Sequence, residues 1–197
     1  MDMLKNIKKY WEKITEGWFG YIVYALLGVI LAYSINFIFG LILNTKLPLV
    51  VIVSSSMSHS PGYYICGSYV KSYKNSFENY WMVCNESYKA FNITKEIFLK
   101  FPFKNGMEVG DVIVVKKEKN YKLGDVIVYQ PTGGKYPIIH RIVKINEDGS
   151  FQTKGDRNNG QFNYEKRINY SQIYGKAILR IPLIGWPRVL VMMVMKI

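Results

Sequence analysis

The chain contains 197 residues, of which 49% are apolar, and it carries a formal net charge of +12. This length and composition fit one compact domain with a membrane anchor, and they exclude a disordered chain or one embedded wholly in a membrane. The basic residues are scattered, and the only short cluster beyond the anchor contains Lys116, Lys117 and Lys119. The charge therefore favours solvated faces and attraction to anionic lipid headgroups over nucleic-acid binding.

Residues 18–43 contain no charged side chain. At a rise of about 1.5 Å per residue, a helix of this length crosses a hydrocarbon core of about 30 Å. A cleaved signal peptide is the alternative, but its apolar region is only about 7 to 15 residues long. The segment therefore predicts a single-pass transmembrane helix.

The charges that flank this segment are unequal. Only Lys46 follows it closely, whereas four lysines precede it, at Lys5, Lys8, Lys9 and Lys13. Positive charge is retained on the cytoplasmic side of membrane proteins. We expect residues 1–17 in the cytoplasm and the part of the chain that follows the helix outside the cell membrane.

Beyond the anchor, apolar runs rich in β-branched residues occur at 47–53, 112–115, 126–129 and 138–145. Such runs are typical of β-strands. Asp148-Gly149 separates the last of them from 151–153 and predicts a hairpin, and Gly133-Gly134 predicts another turn. We therefore predict a mainly β domain over residues 44–180. An apolar tail over 181–197 is too short to span a membrane, so it packs on the domain or enters the membrane interface.

An insertion interrupts the strands at about 60–107, and its pattern predicts a partly helical segment. Aromatic residues and a cysteine recur at helical spacing, at Tyr69, Tyr73, Phe77, Trp81, Cys84 and Tyr88. Thr94 is a candidate N-cap for a second short helix. The aromatic face could pack in a core, rest on the bilayer or form a substrate wall. Cys66 and Cys84 both fall in the external part, where a disulfide is permitted.

Short motifs follow one another along the predicted domain. VSSSM occupies 53–57, two GDVIV units begin at Gly110 and Gly124, IHRIV occupies 139–143 and TKGD occupies 153–156. In order and spacing these motifs resemble type I signal peptidases, in particular the archaeal and endoplasmic-reticulum branch. The resemblance covers 54–176 in blocks, together with the anchor, and implies a signal-peptidase-like β domain.

The resemblance implies roles for individual residues. Ser56, the serine before Met57, is the expected nucleophile, and His140 is the expected general base in a position that bacterial members give to lysine. Ser54 and the backbone amide of Ser56 are the expected oxyanion donors. Asp156 is the expected acid that orients His140.

The third catalytic position departs from the family pattern. Archaeal relatives usually carry a second aspartate about six residues after the Gly-Asp motif, but Phe162 stands there. Asn163 or Glu165 would then have to substitute, so the acid is left open between Asp156 and Glu165. His59 lies only three residues from Ser56 and is a weaker candidate base, because triad partners usually come from distant segments.

These assignments predict a membrane-bound serine endopeptidase that removes signal peptides from exported preproteins. The expected partners are preproteins, the lipid bilayer, and translocon or accessory subunits. No cofactor is expected, and His59, His140, Cys66 and Cys84 have no familiar metal-ligand spacing. A self-cleaving repressor is disfavoured by the anchor and by His140 in place of lysine. The remaining alternative is a catalytically inactive, membrane-anchored β domain that acts in protein interaction or assembly.

Overall fold

The computed structural model describes residues 2–62, 64–71, 74 and 76–195, and the chain divides after Ile42 into two compact units. The first unit contains helix α1 (Asp2–Thr15) and helix α2 (Gly17–Ile42). The sequence did not predict α1. Helix α2 is long and apolar enough to cross a membrane, and it agrees with the predicted segment to within one residue at each end. That it crosses a membrane stays a prediction.

The second unit is built on a six-stranded antiparallel sheet, which confirms the mainly β class. Its strands are β1 (Leu49–Val51), β4 (Val112–Lys116), β5 (Val126–Tyr129), β6 (Ile138–Ile145), β7 (Phe151–Lys154) and β8 (Ile173–Ile181). From one edge of the sheet to the other they lie in the order β1-β4-β8-β5-β6-β7. The bounds of β5 and β6 are those predicted. The predicted hairpin joins β6 to β7, and Gly149 in its turn has a φ of +79° that favours glycine.

Strand β8, which the sequence did not predict, occupies the middle of the sheet. It pairs with β4 on one side and with β5 on the other. Gly175 lets β8 lie close to β4, because a Cβ on Gly175 would lie 2.5 Å from the carbonyl oxygen of Lys116 in β4. Since no pairing joins β4 directly to β5, β8 connects the half of the sheet that contains β1 to the half that contains β6 and β7.

The insertion folds as a small two-stranded hairpin followed by three short helices. These elements are β2 (Tyr64–Ile65), β3 (Ser68–Tyr69), α3 (Phe77–Cys84), α4 (Glu86–Lys89) and α5 (Lys95–Phe98). The predicted aromatic helix face starts earlier in the sequence than helix α3 does. Ser76 caps the start of α3, Tyr69 belongs to β3, and Tyr73 lies outside the described residues. The predicted N-cap at Thr94 is confirmed, since its side chain accepts a hydrogen bond from the Ile97 amide.

Most of the aromatic face packs inside the insertion. Of this face, Cys84 and Tyr88 are fully buried there, and Phe77 and Trp81 pack against the same cluster, which also contains Tyr80 and Phe98. A disulfide joins Cys66, in the turn of the hairpin, to Cys84 at the end of α3. The insertion thus packs compactly around a cluster of buried side chains and contains its own covalent link.

The chain continues from β8 into helix α6 (Trp186–Met195). Val189 is buried, whereas Leu190, Val191 and Val194 are exposed. The predicted apolar tail is therefore a short helix that packs on the domain through part of its surface.

Removal of the disulfide should destabilise the second unit. The Cys66–Cys84 link closes a loop with a sequence separation of 18 residues, and a loop of this size contributes about 3 kcal/mol in the chain-entropy model. We expect the double variant Cys66→Ser/Cys84→Ser to lose about that free energy of unfolding in denaturant titrations of the detergent-solubilised protein. Reductant should lower the stability of the wild type and leave the variant unchanged. Equal sensitivity of both proteins to reductant would contradict the prediction.

Candidate active site

Ser56 lies in a loop that follows the edge strand β1. The loop is fixed at both ends by backbone hydrogen bonds, from the Gly110 amide to the Ile52 carbonyl and from the Met107 amide to the Met57 carbonyl, each 2.9 Å long. The Met57 side chain is fully buried and anchors the loop in the core. The turn therefore holds Ser56 half-buried at the domain surface, with its Oγ 3.2 Å from the Oγ of Ser54.

His140 lies on β6, in the other half of the sheet, and is almost completely buried. Its Nδ1 is 2.5 Å from Oε1 of Glu165, which is itself fully buried in a single 3-10 turn, Asn163–Glu165. The second oxygen of Glu165 accepts a hydrogen bond of 2.7 Å from the Phe162 amide. Because the carboxylate is held by the backbone, it can fix the orientation and tautomer of the His140 ring.

Gly155 lies where the Ser56 loop and strand β6, which carries His140, approach each other. A Cβ on Gly155 would lie 2.8 Å from His140 Nε2 and 2.9 Å from the Ser56 carbonyl oxygen. Contacts this short do not occur between real atoms of these kinds, so a larger residue would push the two segments apart. The neighbouring Arg157 amide donates a hydrogen bond of 2.9 Å to the same Ser56 carbonyl. The Gly155 turn thus joins the Ser56 loop to the His140 strand.

Ser54, Ser56 and His140 line one cavity of about 450 Å³. One side of it is aliphatic and is built by residues 50–53 and 137–139. The lining also contains Asn158 and two stacked aromatic rings, Phe162 and Tyr164, whose centroids are 5.4 Å apart. The cavity thus brings the Ser56 hydroxyl and the His140 imidazole together with residues of two strand segments.

Asp156 contacts other groups than His140. Its Oδ1 accepts a hydrogen bond from Arg141 Nε at 2.9 Å, and its Oδ2 accepts one from Arg141 Nη2 at 2.7 Å. Tyr88 donates to Oδ1 at 3.0 Å, and His59 Nε2 lies 2.9 Å from Oδ2. Both oxygens of Asp156 are thus engaged by groups other than His140. Of the two acids left open by the sequence, Glu165 is the one that contacts the His140 ring.

The pair of Arg141 and Asp156 is fully buried, with Nη2 of Arg141 2.7 Å from Oδ2 of Asp156. Burial raises the pKa of the Asp156 carboxyl, but the charge of Arg141 and the hydrogen bonds from His59 and Arg141 outweigh it, so that its pKa lies well below the ordinary range. Arg141 also donates to the carbonyl oxygens of Pro102, Phe103 and Gly124. The ion pair therefore satisfies its hydrogen-bonding capacity inside the protein, as a buried pair must.

His59 belongs to this buried network. Its ring stacks on Tyr80, with the centroids 3.4 Å apart and the planes 5° apart, and only 1% of the residue is exposed. Burial lowers the pKa of His59, although Asp156 opposes this effect. The residue does not line the cavity that contains Ser56, which favours a packing role over a role as base.

Sequence reasoning missed Lys154. Its side chain is fully buried, and its Nζ donates to the carbonyl oxygens of Gly155 and Asn158 at 2.9 and 2.7 Å. Burial lowers the pKa of Lys154 to about 8. The ammonium group thus fixes the turn that begins at Gly155. The only available signal was its place beside the Gly-Asp motif, which does not distinguish a buried lysine from an exposed one.

Two curated proteins are similar to the chain. The catalytic subunit of the signal peptidase complex of Dictyostelium discoideum is 33% identical over 86 residues, which are 39% of this chain and 48% of that protein. The corresponding subunit of Candida tropicalis is 29% identical over 92 residues, which are 42% of this chain and 55% of that protein. The chain thus spans about half the length of the curated relatives it matches. No family model matches it. The similarities confirm the resemblance to signal peptidases.

Acid should destabilise the domain through Asp156. Because its pKa is lower in the folded state, its contribution to stability is complete above its unfolded pKa of about 3.9 and is lost as the pH falls below that value, by about 1.4 kcal/mol per pH unit. Asp156→Asn should cost about 3 to 5 kcal/mol at neutral pH, because it leaves Arg141 buried without its partner, and it should flatten the pH dependence. Denaturant titrations between pH 2 and pH 7 measure both effects. An unchanged acid slope in the variant would contradict this account.

Proposed function

We propose that the protein is a membrane-bound serine endopeptidase that removes signal peptides from exported preproteins. The observation that carries the proposal is that Ser56 and His140 line one cavity, with Glu165 against the far side of the imidazole ring. Similarity to proteins named as catalytic subunits of signal peptidase complexes supports the same activity.

In the proposed reaction, Ser56 Oγ attacks the carbonyl carbon of the scissile bond while His140 Nε2 takes the hydroxyl proton. The imidazolium that forms is stabilised by Glu165 at Nδ1. His140 then gives its proton to the departing amine, which leaves an acyl-enzyme on Ser56. Water, deprotonated by the same imidazole, attacks the ester carbonyl and restores the serine.

The developing oxyanion needs hydrogen-bond donors close to Ser56. The Ser54 hydroxyl lies 3.2 Å from Ser56 Oγ, and the backbone amide of Ser56 belongs to the same loop. Donors in such positions typically contribute about 10²- to 10³-fold to the rate each. We propose these two groups as the oxyanion donors.

The substrate binds as an extended strand. Strand β1 is at the edge of the sheet, and the residues after it line the same cavity as the start of β6. Backbone groups at a sheet edge can pair with an added peptide strand. The aliphatic side of the cavity suits the apolar end of a signal peptide.

Helix α2 anchors the enzyme in the membrane, beside substrates that arrive there. The lysines that precede this helix favour a cytoplasmic N-terminus and a catalytic domain outside the cell membrane. Each of the two similar proteins is named as the catalytic subunit of a complex. We therefore include translocon or accessory subunits among the partners that this chain works with.

Substitution of the nucleophile should abolish cleavage. We expect the wild type, reconstituted in lipid vesicles, to cut a secretory preprotein after a small residue, and Ser56→Ala to leave it intact. Sequencing of the new amino terminus identifies the cleaved bond. The matched control is Ser171→Ala, which removes an exposed hydroxyl that does not line the cavity and should retain cleavage.

Two results would contradict the proposal in different ways. Equal cleavage by the wild type and Ser56→Ala would remove Ser56 from the mechanism. If neither protein cleaves the preprotein or reacts with an active-serine probe, the catalytically inactive, membrane-anchored β domain becomes the better description.

Loss of the acid that orients His140 should slow turnover more than substrate binding. Glu165→Gln keeps the size of the side chain but removes the charge that stabilises the imidazolium, so we expect kcat to fall by about 10²- to 10⁴-fold with little change in KM. Glu165→Asp should recover part of this loss. The exposed Glu147→Gln substitution is the matched control. A loss of kcat in Asp156→Asn without destabilisation, together with an active Glu165→Gln, would reverse the assignment.

A further inference from the structure

A second cavity, of about 500 Å³, lies beside the one that contains Ser56 and His140. The two cavities share Ser55, Arg157, Asn158 and Phe162 as lining residues. An extended chain that passes Ser56 can therefore continue from one cavity into the other across these residues.

The insertion supplies the outer wall of the second cavity. Tyr64, Cys66 and Gly67 line it from the β2–β3 hairpin. The hairpin is fixed to the opposite wall, because the Cys66 amide donates to the Arg157 carbonyl at 2.8 Å. At Gly67, where φ is +80°, a Cβ would lie 2.8 Å from the side chain of Asn159. The wall is thus closely packed and is tied to α3 by the disulfide.

The two cavities differ in chemistry. Aliphatic residues 50–53 and 138–139 line only the first, and Asn159 and Gln161 line only the second. Arg157 and Asn158 lie between the two cavities and line both. Arg157 donates to the carbonyl oxygens of Tyr64 at 3.0 Å and Ser60 at 2.7 Å. Both acceptors are uncharged, so these hydrogen bonds do not neutralise the guanidinium charge. The second cavity is thus the more polar of the two, and Arg157 gives it a positive charge at its boundary with the first.

We infer that the second cavity binds the residues that follow the scissile bond, the first residues of the mature protein, and prefers acidic or uncharged side chains to basic ones. This inference rests on the proposed function, under which an apolar segment precedes the cleaved bond and an ordinary, more polar chain follows it. The apolar cavity fits the former and the polar cavity fits the latter. The disulfide-linked insertion is thereby part of the specificity of the enzyme.

The test compares two synthetic peptides that are identical up to the cleaved bond and carry either glutamate or lysine at the second to fourth positions after it. The full chain is reconstituted in zwitterionic phosphatidylcholine vesicles, so that the lipid does not discriminate between the peptides. We expect kcat/KM to be about three- to tenfold higher for the glutamate peptide, as for one or two exposed charge pairs, with the ratio falling at high salt.

Asn159→Asp adds a negative charge to the second cavity with almost no change in shape, and it should bring the ratio close to one. The matched control, Asn169→Asp, makes the same change at an exposed residue that lines neither cavity, and it should keep the wild-type ratio. Cleavage of both peptides with the same ratio in the wild type and Asn159→Asp would overturn the subsite and leave the peptidase standing. Failure of the wild type to cleave either peptide would overturn the proposed function and the subsite together.

Discussion

The buried ion pair between Arg141 and Asp156 is the interaction on which the rest of the domain depends. Arg141 follows His140 on β6, and Asp156 lies between Gly155, which packs against both His140 and the Ser56 loop, and Arg157, whose amide binds the Ser56 carbonyl. A bidentate contact allows little freedom in the distance or angle between its partners. The pair therefore sets the position of the imidazole relative to the serine loop without touching either reacting group.

A charged pair in a protein interior needs shielding from water and a partner for every remaining donor and acceptor. The insertion supplies both. Its Tyr80 and Tyr88 bring hydroxyl groups to Asp156, and the Arg141 guanidinium lies 4.9 Å from the centre of the Phe98 ring. The ion pair thus accounts for Tyr88 of the predicted aromatic face, and for Tyr80 and Phe98, which the predicted face did not include. Of the three interpretations open for that face, packing accounts for its buried rings. The β2–β3 hairpin of the insertion also reaches the second cavity.

Much of the fold could be predicted because its signals are local. The apolar length of α2, the β-branched runs of β5 and β6, and the turn at Gly149 each depend on neighbouring residues alone. Strand β8 was missed because its buried positions are partly filled by small residues such as Gly175 and Ala177, which give a weak hydrophobic pattern. The sequence also could not decide between Asp156 and Glu165, because that decision depends on which acid the fold places against Arg141 and which against His140.

The place of β8 in the sheet has a consequence for when the site can exist. Ser56 follows β1 in one half of the sheet and His140 lies on β6 in the other, and the strand that joins the halves is the last to be synthesised. Contacts between distant parts of a chain form late in folding, because closing long loops costs entropy. A nascent chain that already contains Ser56, His140 and Glu165 would therefore still lack the assembled site. Under the proposed function, the order of synthesis would withhold proteolytic activity until β8 has been made and has joined the two halves of the sheet.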